Sequence, residues 1–140
     1  MAKIRFLEKK DAASVAALIP QLTKNIVEPE NLVSRLEKLA VGNNYQYFIA
    51  ELDGKVVGLA GLAWYAVPSK GLIGWIEEVV VDQAARGHGL GRALMEELVN
   101  FSKIKGCKKI KLTTNNPIAQ KLYQDLGFID AEQKYLCKTL

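Results

Sequence analysis

The hydrophobic patterns predict an α/β fold: a mixed sheet of six to seven strands with about four helices on its two faces, in the order β-α-α-β-β-β-α-β-α-β. Three observations carry this expectation. Asp53-Gly54 sits between two strand-like runs, the strongest short-range signal for a hairpin. Leu72 to Val81, a helical pattern from about Leu90 to Lys105, and Lys109 to Thr113 form a strand–helix–strand unit. Its right-handed crossover makes the two strands parallel. Two helical stretches precede the hairpin, so the sheet has more than one layer to cover it.

In chain order, Lys3 to Leu7 reads as a short strand. Asp11 can cap a helix in which Ala12, Val15, Ala16 and Ile19 share a face, and Pro20 helps to end it. Pro29 fits the first turn of a second helix with Leu32, Leu36 and Leu39 inward. Tyr45 to Leu52 and Lys55 to Tyr65 are the hairpin strands, the second apolar enough to be buried on both faces. Pro68-Ser69-Lys70-Gly71 is a loop. In the long helix Leu90, Leu94, Leu98 and Phe101 recur at helical spacing until Gly106. Pro117 to Leu126 is a short helix, Gly127 ends it, and Phe128 to Thr139 is expected to supply one or two final strands.

The chain of 140 residues carries no repeat, linker or low-complexity tract, so residues 1–140 read as a single domain. With 49% apolar and 24% charged residues the composition is that of an ordinary soluble protein. No apolar run reaches the roughly 18 residues of a membrane span. The start, "MAKIRFLEKKDAA", has no long apolar core of a signal peptide, and a cytoplasmic location is expected. Cys107 and Cys137 have no second ligand at metal-binding spacing, and His88 is the only histidine. No metal site is therefore expected, and the thiols read as reduced and structural. The net charge of +4 suits an anionic ligand. Lys103, Lys105, Lys108, Lys109 and Lys111 crowd one region, either as a solvated helix end or as a patch that attracts phosphates. No interleaved aromatic and basic face points to nucleic acid.

The chemistry concentrates in "VVVDQAARGHGLGRAL", residues 79 to 94. A strand runs into a turn with three glycines in six residues, and a helix follows. The first N–H groups of a helix lack internal partners and carry partial positive charge; glycines let an anion approach them. Arg86 and Arg92 can add charge-assisted bonds. A P-loop is excluded because Gly91 is followed by Arg92-Ala93 and not by Lys-Ser/Thr. A dinucleotide fingerprint is excluded by the spacing of Gly87, Gly89 and Gly91.

Arg86-Gly87-His88-Gly89-Leu90-Gly91 instead resembles the Arg/Gln-x-x-Gly-x-Gly/Ala acyl-CoA loop of the GNAT N-acetyltransferase family. "NPIAQKLYQDLGF", residues 116 to 128, is similar to that family's second signature, with Asn116, Ala119, Tyr123, Gly127 and Phe128 in place. The likeness spans residues 45 to 128 well and the rest loosely. It implies the GNAT fold and acetyl-CoA as cosubstrate, with no metal. The pyrophosphate would meet the amides of Gly87, His88, Gly89, Leu90, Gly91 and Arg92, and the pantetheine arm the main chain of Val79, Val80 and Val81, where a peptide-like arm pairs as an extra strand.

Transfer to an amine needs a base, a donor to the thioester oxygen, and a proton for the leaving thiolate. The resemblance assigns the last to Tyr123, protonated at neutral pH; the competing reading is a core aromatic that orients the coenzyme. The base is expected at Glu78, with Glu77 close behind. Adjacent strand residues point to opposite faces, so only one meets the cleft unless a bulge realigns them; both binding substrate or facing solvent remains open. The oxyanion donor is expected to be the Val79 N–H. Asn116 either bonds the pantetheine or caps the helix at Pro117. The acceptor site should draw on the first two helices, the loop from Val67 to Leu72 and the C-terminal strands. "WIEEVVV" and "KYLCKTL" are loosely similar to small bacterial enzymes acting on aminoalkylphosphonates and amino sugars, which implies a compact polar amine. Trp64, Tyr65 and Trp75 either line a pocket or pack the core. The leading reading is acetyl transfer to a small-molecule primary amine. Acetylation of a protein N-terminus or lysine, and a non-catalytic acyl-CoA-binding domain, are the alternatives. A homodimer is possible.

Overall fold

The computed structural model describes residues 2–140. A five-stranded sheet has its strands in chain order: β1 (Ala2–Phe6), β2 (Tyr45–Leu52), β3 (Lys55–Val67), β4 (Gly71–Val81) and β5 (Lys109–Lys111). The first four pair antiparallel in succession, and β4–β5 is parallel. The helices are α1 (Ala12–Leu18), α2 (Pro29–Gly42), α3 (Leu90–Lys105) and α4 (Pro117–Asp125), with single 3-10 turns at Lys9–Asp11, Ile19–Gln21 and Gln83–Ala85. The hairpin, the crossover and all four helices stand where the sequence puts them.

Two strand expectations fail. β5 stops at Lys111, short of Thr113, and no strand forms between Phe128 and Thr139, so the sheet has five strands among the described residues. The tail offers Ile129, Tyr135, Leu136 and Leu140 to solvent. Its apolar residues match a strand pattern, but they pair with neither β5 nor any other strand of the sheet, and a pattern without a pairing partner does not make a strand.

Strand alternation divides the core. Phe48, Ala50, Ala60, Leu62 and Ile76 face α3 and pack on Leu90, Leu94, Met95 and Leu98. Ile49, Leu59 and Val80 face the other way, onto Val15 and Leu18 of α1 and Leu32 of α2. As the sequence predicts, the middle of β3 is buried on both faces. β1 is tied to the α1 side through charge. Arg5 makes a paired contact with Asp11, Nη1 and Nη2 each donating to a carboxylate oxygen over 2.8 Å, and also reaches Glu51.

Candidate active site

β4 is where the fold becomes unusual. β5 accompanies it only from Ile73 to Trp75, pairing with Lys109–Lys111, and β4 then runs on to Val81 with that edge open. On its other edge the register jumps. Gly61 pairs with Glu77 but Leu59 with Val80, so one extra residue is inserted in β4 opposite Ala60. Glu78 takes up the insertion in a left-handed backbone conformation, φ 55°, which is uncommon for a non-glycine residue.

The bulge decides where the two carboxylates go. Tyr47, Gly61 and Glu77 form one cross-strand row, and Ile49, Leu59 and Val80 the next row on the same face. Glu78 borders a cavity together with Tyr47 and Leu59 of those rows. Both glutamates therefore lie on the face covered by α1 and α2, where a regular strand would have set them on opposite faces. Sequence spacing alone separates Glu77 from Glu78; the bulge brings them together.

Two cavities meet this face. The larger, about 390 Å³, lies beneath α1 and α2 and is bounded by Ile19, Thr23, Arg35, Leu36, Tyr47 and Glu78 among others. The second, about 340 Å³, opens beside the divergence of β4 and β5 and is bounded by Tyr45, Tyr65, Trp75, Glu77, Thr113 and Tyr135. Tyr45 and Tyr47 stack between them, ring centroids 6.4 Å apart. Trp75 donates its indole N–H to the Tyr65 hydroxyl over 3.1 Å. Trp64 packs on the core beside Phe101 instead. Glu78 opens onto its cavity, yet the surrounding protein pushes its carboxyl above the ordinary range; the charge of Glu77 adds to this and Arg35 opposes it. Burial, then the charges of Glu78, Tyr45 and Glu77, raises the Tyr47 phenol.

Beyond Val81 the chain makes the glycine turn. Gly87 and Gly89 have φ of 86° and 76°, and a Cβ at either would meet open space. Gly89 is the N-cap of α3 and supplies no side-chain bond to the first amides. Together these leave an exposed, uncapped helix start, the arrangement that suits a pyrophosphate. Arg86 is held at the turn's base by its Nε–H donating to the Val81 carbonyl over 3.0 Å. Arg92 pairs with Glu96 one turn along α3. The imidazole of His88 rides on the exposed loop. Of the lysine cluster, Lys105 lies over the rings of Trp64 and Phe101 and Lys111 over Trp75.

α4 closes the other side of this turn: a Cβ on Gly91 would touch Leu122 at 3.6 Å and Val81 at 3.9 Å. Tyr123 is 8% exposed, and its ring meets Phe128 edge-on at 5.9 Å. Burial raises its phenol further above neutrality. No buried side-chain polar atom lacks a partner among the described residues. Asn116 Oδ1 accepts the amides of Ile118 and Ala119, so the capping alternative is realised at that atom. Gln21, after α1, donates to Asp82 Oδ1 and accepts the Gln83 amide, joining the wall of the larger cavity to the chain leading into the glycine turn.

The structure thus gathers Glu77, Glu78 and Val79 to Val81 at the open end of β4, with Arg86 to Arg92 directly after them and Tyr123 on the helix that packs there. Of the segments expected to build an acceptor site, α1, α2 and the turn between them border the larger cavity, and the tail contributes Tyr135 to the smaller. The loop from Val67 to Leu72 borders neither. Sequence reasoning missed Thr23, Arg35, Tyr45 and Tyr47. The two tyrosines carry one signal, their i, i+2 spacing, which places them on the same strand face; Arg35 carries none, being one of several charges on an amphipathic helix.

Residues 16–128 match the acetyltransferase (GNAT) family. The chain is 33% identical over 132 residues to the glucosamine 6-phosphate N-acetyltransferase of Trypanosoma brucei brucei, covering 90% of this chain and 88% of that one. It is 32% identical over 136 residues to glucosamine 6-phosphate N-acetyltransferase 1 of Oryza sativa subsp. japonica, covering 91% and 81%. Its fold superposes on the crystal structure of the glucosamine-6-phosphate N-acetyltransferase from Arabidopsis thaliana with a TM-score of 0.87, at 27% identity and over 99% of this chain and 98% of that one. With the splayed β4 edge, the bulge and the open glycine turn in the same molecule, the chain belongs to the GNAT family and is an acetyl-CoA-dependent N-acetyltransferase.

Proposed function

We propose that the chain acetylates the primary amine of a small molecule held in the cavity beneath α1 and α2. The observation that carries this is the β4 bulge, which turns Glu78 into that cavity at the point where β4 and β5 part. The cavity's size, about 390 Å³, falls in the range of small-ligand sites and supports a bounded acceptor over a peptide laid in a groove.

The amides of Gly87 to Arg92 hold the pyrophosphate, and the open edge at Val79 to Val81 lines the pantetheine arm. Acetyl-CoA supplies an activated thioester. Glu78 takes a proton from the acceptor's ammonium group, by contact or through one water, and its raised carboxyl makes it a stronger base than an ordinary carboxylate. The freed amine nitrogen then forms a bond to the thioester carbonyl carbon as the carbon–sulfur bond breaks. The Val79 N–H donates to the carbonyl oxygen as charge gathers there. Tyr123, kept protonated by burial, gives its proton to the departing sulfur. Glu77 stands beside Glu78 as the alternative base and as a negative charge that attracts the ammonium group. The second nitrogen proton leaves through water as the amide forms and the Tyr123 phenolate is reprotonated, so the products are the N-acetylated amine, free coenzyme A and the one proton taken up by Glu78.

Glucosamine 6-phosphate, named for relatives in Trypanosoma and rice, is the first acceptor to try. Release of free coenzyme A is to be measured against that compound, a panel of aliphatic and aromatic amines, and short peptides. Turnover confined to small amines is expected; turnover of peptides alone overturns the reading in favour of a protein acceptor.

A further inference from the structure

Arg35 stands apart from the other arginines. Arg5 is paired with Asp11 and Glu51, Arg86 donates to the Val81 carbonyl, and Arg92 is paired with Glu96. Arg35 takes part in no salt bridge or side-chain hydrogen bond among the described residues. It nevertheless borders the larger cavity from α2, opposite in charge to Glu78, which borders it from β4. Much of the remaining lining is aliphatic, including Val15, Ile19, Leu32, Leu36 and Leu59. Arg35 itself is exposed, and its guanidinium suits an anion because its fork matches carboxylate and phosphate oxygens. The cavity thus holds two charged groups, one suited to an ammonium and one to an anion, in a lining that is otherwise largely aliphatic.

Resting on the proposed acceptor site, we infer that Arg35 selects acceptors by an anionic group, so that the substrate is a primary amine carrying a carboxylate or phosphate away from the nitrogen. The amine end meets Glu78 and the anionic end meets Arg35. A neutral amine of the same skeleton loses the second contact. Arginine is also the side chain for which lysine is a poor replacement when a planar, two-pronged contact is required.

The test uses two matched pairs: glucosamine 6-phosphate with glucosamine, and 6-aminohexanoate with hexylamine. kcat and KM are read by coenzyme A release for the wild-type chain, Arg35→Leu and Arg35→Lys, and binding of each compound to the coenzyme A complex is read by calorimetry. The wild type is expected to bind the anionic member of at least one pair about tenfold or more tightly, the usual scale of a charge-assisted contact. Arg35→Leu erases that preference through KM and affinity, the anionic member losing more than the neutral one, and Arg35→Lys restores part of it. The pair that responds tells phosphate from carboxylate. Equal binding of both members of both pairs by the wild type, or an equal loss on both members in Arg35→Leu, overturns the inference. Acetylation of amines without any anion preference leaves the proposed function standing and refutes Arg35's part. Anion-dependent binding without acetyl transfer does the reverse.

Discussion

Glu78 is held in an uncommon backbone conformation in a strand that, apart from Glu77, is built from apolar residues and glycines, and its carboxyl is raised by burial and by Glu77. A carboxylate acts as a base only when unprotonated. Because the folded protein raises its pKa, kcat/KM is expected to fall, as pH decreases, at a value above the roughly 4.3 of a free glutamate. The charged or titratable groups facing it are Glu77, Arg35 and Tyr47. Glu77→Gln removes the repulsion, so the acid limb should move to lower pH. Glu78→Gln should lower kcat by about 10²- to 10⁴-fold, the usual contribution of a general base, and flatten that limb. A pH–rate series on the two variants checks both; a limb unmoved in Glu78→Gln assigns the base elsewhere.

At the scale of the element, β4 depends on its neighbour β3. A Cβ added at Gly61 would collide with the Tyr47 ring, next to the bulge and opposite Glu77. Gly61→Ala is therefore expected to destabilise the fold by about 1–3 kcal/mol as the ring is displaced, and to raise acceptor KM more than it lowers acetyl-CoA affinity. Chemical denaturation and steady-state kinetics read the two effects. The elements themselves were largely legible in the sequence. The Asp53-Gly54 turn, the leucine repeat of α3 and the Asn116-Pro117 helix entry are local signals, and local signals survive without tertiary information. The bulge was legible only as a condition for both glutamates to share a face. Which register β3 and β4 adopt depends on side-chain packing across the sheet, which no single strand encodes. The Phe128–Thr139 stretch misled because strand-like composition does not decide whether a segment pairs, and this one pairs with no strand of the sheet.

For the molecule as a whole, two half-cores lie on either side of one sheet, and the site occupies the place where β4 serves both. Val80 packs toward α1 and α2, while Val79 and Val81 lean on the α3 side. The α1–α2 half carries the proposed acceptor cavity and the α3–α4 half carries the glycine turn, with Gln21 bonded across to Asp82 and Gln83. Anchoring of the first half rests on the Arg5–Asp11 pair, whose side chains are 15% and 4% exposed. The Arg5 hydrogen bond is the chief cause that holds the Asp11 carboxyl below its ordinary value. A carboxyl whose pKa is lowered by folding stabilises fully above its unfolded value, near 3.9, and that contribution fades as pH falls through the folded value. Asp11→Asn should therefore cost about 1–3 kcal/mol at neutral pH, the scale of a charged hydrogen bond lost while Arg5 keeps its contact with Glu51, and the difference from wild type should shrink under acid. Urea titrations at neutral pH and at about pH 3 measure it. Family membership was readable from Arg86 to Gly91 and Asn116 to Phe128, since bare backbone at a helix start has few other uses. Arg35 was not readable, because its meaning comes from α2 settling over a cavity formed by distant strands.

The central claim is that the open amides after Gly87 receive the coenzyme's diphosphate. The most direct measurement is the shift in melting temperature on adding acetyl-CoA to the wild type, Gly89→Ala and Gly89→Glu. Both variants place a side chain at φ 76°, so both share the backbone strain, while a Cβ there meets open space. Only glutamate adds a carboxylate at the anion site. A clear upward shift is expected for the wild type, a shift retained at least in part by Gly89→Ala, and none for Gly89→Glu. An undiminished shift in Gly89→Glu contradicts it.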